Sequence, residues 1–244
     1  MQAVILAGGL ATRLRPLTET IPKSMVLVDN KPFLQYQLEL LKNNKINDVV
    51  LCVGYLHKQI ENYFQSGERF GVNIKYSVEE KDLLGTAGAL KRATSLLDDK
   101  FFLIYGDSYV FLNFREISSY FNAHDKLALM VVYKNHNKYD NSNVSLRENM
   151  VCRYDKGAKD KDMVYIDYGV SLLRKEILMF IPDGTTYSLE DVFKELISQN
   201  SMLAYEAKER FYEIGSFNGL KEFTNFILEN SEKPHLIDNY KYYY

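Results

Sequence analysis

Three short apolar runs in the first half of the chain each end in glycine, and this recurrence constrains the fold more than any other feature. Ala3-Val4-Ile5-Leu6 leads to Gly8-Gly9, Val49–Val53 to Gly54, and Phe101–Tyr105 to Gly106-Asp107. A continuous apolar run of this length, bounded by a turn, reads as a strand buried on both faces, the kind that parallel sheets use. Helix-like segments alternate with the runs. Pro32 to Leu41 is apolar at 33, 34, 38, 40 and 41 and is opened by proline in its first turn. Lys58–Phe64 and Thr86–Leu97 also read as helices, and Ile74–Val78 as a strand. The β-α-β-α order predicts an α/β fold, a doubly wound, mostly parallel sheet with helices on both faces. Such sheets bind ligands outside the carboxyl ends of their strands, where these glycine turns fall.

The second half is less regular. Leu127–Tyr133, Val144–Tyr154 and Met163–Leu173 read as strands, the last two flanking the charged loop Asp155–Asp162, and Leu189–Ile197 and Leu220–Leu228 read as helices. We expect these to add small antiparallel strands to the first half. No linker or repeat divides the 244 residues, so they read as a single domain with halves 1–114 and 115–230 and a tail 231–244.

Composition excludes several classes. The net charge of −2 gives no blanket attraction to nucleic acid or to an anionic membrane. No apolar run approaches the ~18 residues of a membrane span, and Met1–Ala7 lacks the basic start of a signal peptide. Cys52 and Cys152 lack metal-ligand spacing and read as reduced thiols of a cytoplasmic protein. The four histidines are scattered. Whether the chain forms a homo-oligomer is left open.

The segment most informative about chemistry is Leu6–Lys23, LAGGLATRLRPLTETIPK. A small-residue turn after a strand exposes consecutive backbone N–H groups that can wrap a phosphate. Arg13 can grip phosphate oxygens as a fork and Lys23 can add a point charge. The alternative is a strand–turn corner with solvated arginines. The patterns GxxxxGK[ST] and GxGxxG are both absent, and the basic residues suit a triphosphate better than a dinucleotide.

This segment resembles the signature AGGxGTRLxPLT…PK of the sugar-1-phosphate nucleotidyltransferases, with Ala11 in place of a glycine. The resemblance implies a Rossmann-like nucleotide-diphospho-sugar transferase fold, with 1–114 the nucleotide-binding half and 115–230 the sugar-binding half. It implies that Leu6, Ala7, Gly8, Gly9, Thr12 and Arg13 hold a nucleoside triphosphate, and that Arg13, Lys23 and Asp107 are catalytic. Four further segments extend it. Leu83–Leu90, LLGTAGAL, implies that Gly85 and Thr86 face the nucleotide, with Glu80 against the base; the alternative for Glu80 is a solvated charged turn. Tyr105-Gly106-Asp107-Ser108 implies Asp107 as a ligand of Mg²⁺ and Gly106 beside the sugar; the alternative is Asp107 capping a helix. Phe211–Ser216, FYEIGS, is similar to the family's W-x-D-x-G-T, which makes Glu213 the second ligand. Tyr165–Leu172, YIDYGVSL, implies sugar contacts from Asp167 and Gly169, and Glu190 joins them from further on; the alternative for Asp167 is a β-bulge or edge-strand carboxylate.

The implied reaction joins an NTP and a sugar 1-phosphate into an NDP-sugar and pyrophosphate. KPFLQYQLELLK, VVLCVGYL, YSVEE and FYEIG look most like the heptose-1-phosphate guanylyltransferase branch, which uses GTP. Uridylyl-, thymidylyl- or cytidylyl transfer to a hexose or N-acetylmuramate phosphate, and a non-catalytic regulatory homologue, are the alternatives.

Overall fold

The computed structural model describes residues 1–80, 82–157 and 162–231. The predicted tail lies almost wholly outside them. Thirteen strands and six α-helices follow in chain order: β1 (Gln2–Leu6), β2 (Leu27–Val28), β3 (Lys31–Pro32), α1 (Phe33–Asn43), β4 (Asp48–Val53), α2 (His57–Phe64), β5 (Asn73–Val78), α3 (Gly85–Arg92), β6 (Lys100–Tyr105), β7 (Ser108–Tyr109), α4 (Phe114–Asn122), β8 (Ala128–Lys134), β9 (Val144–Arg147), β10 (Met150–Tyr154), β11 (Tyr165–Arg174), α5 (Leu189–Ser198), β12 (Met202–Ala207), β13 (Tyr212–Glu213) and α6 (Phe217–Ser231).

Nine of the strands form one sheet in the order β5-β4-β1-β6-β11-β8-β12-β10-β9. β5, β4, β1 and β6 are mutually parallel, as the apolar runs of β4, β1 and β6 predict. β11 then enters antiparallel between β6 and β8, and β12 returns parallel to β8. The second-half strands thus extend the same sheet rather than decorating it.

Side-chain alternation places one helix layer on each face. Ala3 and Ile5 of β1 pack with Leu34, Leu38 and Leu41 of α1, Ile60 and Phe64 of α2, and Ile117 and Phe121 of α4. Val4, between them, packs on the other face with Leu90 of α3 and Val192, Phe193 and Leu196 of α5. A third cluster seats α6 on α1 through Phe223, Ile227, Phe33 and Tyr36.

From β1 the chain steps outward to β4 and β5, then returns to β6 on the other side of β1. β1 and β6 therefore flank a topological switch point, where open α/β sheets leave a crevice at the strands' carboxyl ends. The glycine turns make this crevice possible. A side chain on Gly106 would stand 2.5 Å from the Leu6 carbonyl oxygen, and one on Gly54 would stand 3.0 Å from that of Gly8. No helix among the described residues is long and apolar enough to cross a membrane.

Candidate active site

A cavity of about 340 Å³ opens at the switch point. Leu6, Ala7, Gly8 and Gly9 line it from the end of β1, and Tyr105, Gly106 and Asp107 from the end of β6. Gly85 and Thr86 line it from the start of α3, and Lys23 from the first loop. The cavity is within the ordinary size range of a small-molecule site.

Asp107 and Lys23 meet there. Lys23 Nζ donates to Asp107 Oδ2 at 2.6 Å. Burial alone would raise the Asp107 carboxyl, but Lys23, with Arg13 beyond it, outweighs burial and holds it below the usual carboxylate range. Asp107 caps no helix; β7 follows it.

Glu213, 106 residues further on, is brought alongside by a two-strand ribbon. Glu213 pairs with Ser108, and the Ile214 N–H donates to the Asp107 carbonyl at 2.9 Å. Gly215 keeps a small space open between the charged groups. A Cβ there would lie 2.5 Å from Glu213 Oε2, 2.7 Å from Arg13 Nη2 and 3.3 Å from Asp107 Oδ2. Thr12 and Arg13 are exposed residues of the 3-10 turn Thr12–Leu14, outside the cavity wall. Arg13 nevertheless turns toward the two carboxylates.

These residues fit a divalent cation of Mg²⁺ type. Two carboxylates, a hard-oxygen donor set, border the space beside Gly215 together with Arg13 Nη2. Lys23 donates to Asp107 Oδ2, and the Gly215 N–H and Ser216 Oγ donate to Glu213, so these are the oxygens a cation would take over. Among the described residues no third His, Cys, Asp or Glu joins them. Mg²⁺ characteristically takes one or two carboxylates and completes its shell with water and substrate phosphates.

Of the adjacent acids Glu79 and Glu80, it is Glu79 that reaches the cavity wall, where Glu80 was expected. Glu80 is exposed and does not line the cavity, whereas Glu79 is 8% exposed and does. Glu79 Oε1 accepts the Leu84 N–H at 2.7 Å. Its Oε2 lies close to Gly8 and Gly54, within 3.1 and 3.5 Å of where their side chains would begin. Burial raises the Glu79 carboxyl, opposed by the Leu84 hydrogen bond and by Arg92. Cys52 also lines the cavity, but burial, reinforced by Glu79, pushes its thiol up to about 12, so it is no nucleophile at neutral pH.

Of the expected sugar residues Gly106 lines the cavity, whereas Asp167, Gly169 and Glu190 lie behind or beside it. Asp167 is buried and both its oxygens are taken: Oδ2 accepts from Tyr154 Oη at 2.9 Å, and Oδ1 from the Gly169 N–H at 2.9 Å. The β11–β8 register shifts between Asp167 and Ser171, and Gly169 has φ 81°. Asp167 is thus the carboxylate of a β-bulge in a central strand, not a free cavity-facing acid. Burial raises its carboxyl, with Lys156 the leading opposing influence. Gly169 packs on Ser108, next to Asp107. Glu190, in the first turn of α5, pairs with Lys194 at 2.7 Å. It belongs to a segment tied to the start of α3, because the Leu189 N–H donates to Thr86 Oγ1 and the Ala87 N–H to the Tyr187 carbonyl.

Lys156 was not foreseen. It lies in the charged loop after β10, lines the cavity, and holds Nζ 4.9 Å from the centre of the Tyr105 ring. Ser24, Leu83 and Ala89 also line the cavity without having been singled out from sequence.

A family model described as nucleotidyl transferase matches residues 2–230. The chain belongs to the nucleotidyl transferase family. This bears out the resemblance read from Ala7–Lys23. The sequence is 30% identical over 231 residues to a D-glycero-α-D-manno-heptose 1-phosphate guanylyltransferase of Campylobacter jejuni, covering 94% of this chain and 100% of that one. It is 32% identical to a UTP–glucose-1-phosphate uridylyltransferase of Synechocystis and 30% identical to a mannose-1-phosphate guanyltransferase of Saccharomyces cerevisiae, covering 81% and 88% of this chain. This nucleotidyl transferase spans only 55% and 61% of those two relatives. Among solved structures, HddC from Yersinia pseudotuberculosis complexed with GMP-PN aligns with a TM-score of 0.77 at 25% identity, covering 93% of this chain and 99% of that one. A UDP-glucose pyrophosphorylase from Acinetobacter baumanii shares the fold, with a TM-score of 0.80 at 20% identity over 97% of this chain and 98% of its own.

Proposed function

We propose that this nucleotidyl transferase condenses GTP with D-glycero-α-D-manno-heptose 1-phosphate to give a GDP-heptose and pyrophosphate. The observation that carries the reaction is the convergence of Lys23, Arg13, Asp107 and Glu213 at the mouth of a cavity walled by the Gly8-Gly9 turn. Full-length agreement with the Campylobacter guanylyltransferase supports the choice of base and sugar. Glu79 is compatible with that base, since Oε2 is left to accept an N–H from guanine's N1/N2 edge, as it would from the N3–H of uracil or thymine.

In this reading a sugar-phosphate oxygen attacks the α-phosphorus in line. The new P–O bond forms as the α–β bridge breaks, and pyrophosphate leaves with the displaced electron pair. No enzyme nucleophile is needed. The work of the protein is positioning and charge neutralisation. The Gly8 and Gly9 amides and Arg13 hold the triphosphate. Lys23 neutralises the α-phosphate or the incoming phosphate, and Lys156 is placed to hold the sugar phosphate. Asp107 and Glu213 would hold Mg²⁺, which when bound neutralises phosphate charge.

Asp107→Asn tests the assignment. Removing one carboxylate charge from the reacting centre should lower turnover at least ~10²-fold at saturating Mg²⁺. Near wild-type turnover would overturn the role given to Asp107.

A further inference from the structure

The loop that carries Asp107 is held from several sides, and one of its anchors is a side chain far away in sequence. Gln37, on α1, is 2% exposed and does not line the cavity. Its Nε2 donates to the Tyr105 carbonyl at 2.9 Å and to the Ser108 carbonyl at 2.8 Å, one on each side of Gly106-Asp107. β1 ties the Gly106 N–H through the Leu6 carbonyl at 3.0 Å, and Ile214, the residue after β13, ties the Asp107 carbonyl through its N–H. Every residue from Tyr105 to Ser108 therefore has a backbone group fixed by another element, and Gln37 supplies two of these ties, beside the strand pairings Leu6–Tyr105 and Ser108–Glu213.

The choice of glutamine carries a penalty. Its Oε1 is buried without a partner among the described residues, which costs stability. Turning the amide over would aim Oε1 at two carbonyl oxygens, so the orientation is set by the loop. Neighbouring α1 positions facing the sheet, Leu34, Leu38 and Leu41, are apolar and fully buried. A residue needed only for packing would be like them.

We propose that Gln37 is a positioning residue that fixes the Tyr105–Ser108 loop, and with it the Asp107 carboxylate, in the geometry needed to hold a divalent cation against the substrate phosphates. This rests on the role given to Asp107 above. Gln37→Met removes both donors at similar volume, and Gln37→Glu keeps the shape while leaving at most one donor, the O–H of a buried neutral carboxyl. Because ångström-scale displacement of a reacting group can cost ~10²-fold, turnover should fall about 10- to 100-fold in each variant.

Three readouts separate positioning from general stability. Mn²⁺ binding, followed by electron paramagnetic resonance with a non-hydrolysable GTP analogue present, should weaken about 10-fold, as for other residues that orient a metal ligand. GTP-analogue binding without metal should stay within about twofold, since the glycine turn is not held by Gln37. Adding Gln37→Met to Asp107→Asn should lower turnover no further than about twofold, because residues acting through one group are not additive.

Unchanged Mn²⁺ affinity, or a full additional loss in the double variant, would overturn the proposal. So would Gln37→Met turnover near that of the parent while Asp107→Asn abolishes it. If Asp107→Asn itself stays active, the role of Asp107 has failed instead. Should Gln37→Met not fold, the same three readouts on Gln37→Glu decide.

Discussion

Ala11 stands where the family signature has glycine, and its backbone shows what that substitution costs. Its φ of 50° and ψ of 45° lie in the left-handed region. The conformation is held in place, because its carbonyl accepts from the Leu14 N–H at 3.1 Å and from Thr18 Oγ1 at 2.8 Å. A left-handed alanine costs about 1–2 kcal/mol. Glycine escapes that cost but loses ~0.4–1 kcal/mol more chain entropy on folding. Ala11→Gly should therefore stabilise the chain by about 0.5–1 kcal/mol. For a domain of this size that is a rise of roughly 1–4 °C in Tm. Thermal and urea unfolding followed by circular dichroism would measure it. The loop geometry is already of the glycine type, so turnover should stay within about twofold. A lower Tm for Ala11→Gly would refute the reasoning, because it would mean that alanine is unstrained there.

Two further substitutions probe the cavity. Glu79→Gln keeps the acceptor for the Leu84 N–H but replaces the carboxylate that lines the cavity; with GTP, under the proposed base contact, it should cost about tenfold in kcat/KM. Because the Glu79 carboxyl is raised in the folded chain, its contribution to stability is fully present below the unfolded carboxyl range and is lost as pH rises through the raised folded value. Glu79→Gln should remove that decline from urea-unfolding free energies measured across weakly acidic pH. Unchanged pH dependence would refute the assignment. Lys156→Ala should raise KM for the sugar 1-phosphate about tenfold while leaving KM for the nucleotide within twofold, since only one charge-assisted contact is removed. Equal effects on both substrates in steady-state kinetics would refute the placement.

The parallel half of the sheet was legible because β1, β4 and β6 each carry an apolar run that ends in glycine, and the switch point follows from their order. The rest depended on contacts that no local pattern announces. Val144–Tyr154 reads as one strand but is the hairpin β9–β10, turned at Glu148, which takes φ 55°. Helix α4 was not read, although Asn113 caps it by accepting the Glu116 N–H, and Phe114, Ile117 and Phe121 bury one face. The helix expected over Thr86–Leu97 ends at Arg92 and continues as a short 3-10 turn. β12 was missed as well.

Glu79 could have been chosen over Glu80. Cys52 pairs with Ser77 and Val53 with Val78, and the Glu79 N–H still donates to the Val53 carbonyl, so two-residue alternation returns Glu79 to the face of Cys52. Asp107 and Glu213 could be named from their segments, but their proximity depends on the β7–β13 ribbon. Lys156 carries no local signal. It becomes a site residue only through the path of the loop that leaves β10.

The central claim is that the cavity at the β1–β6 switch point transfers a guanylyl group to a heptose 1-phosphate. Pyrophosphate release from purified protein with Mg²⁺ tests it directly, across GTP, UTP, dTTP, CTP and ATP, each with D-glycero-α-D-manno-heptose, mannose, glucose and N-acetylmuramate 1-phosphates. The account predicts the highest kcat/KM for GTP with the heptose 1-phosphate. A maximum for UTP or dTTP with another sugar would contradict the substrate assignment, and no release with any pair would contradict the catalytic reading itself.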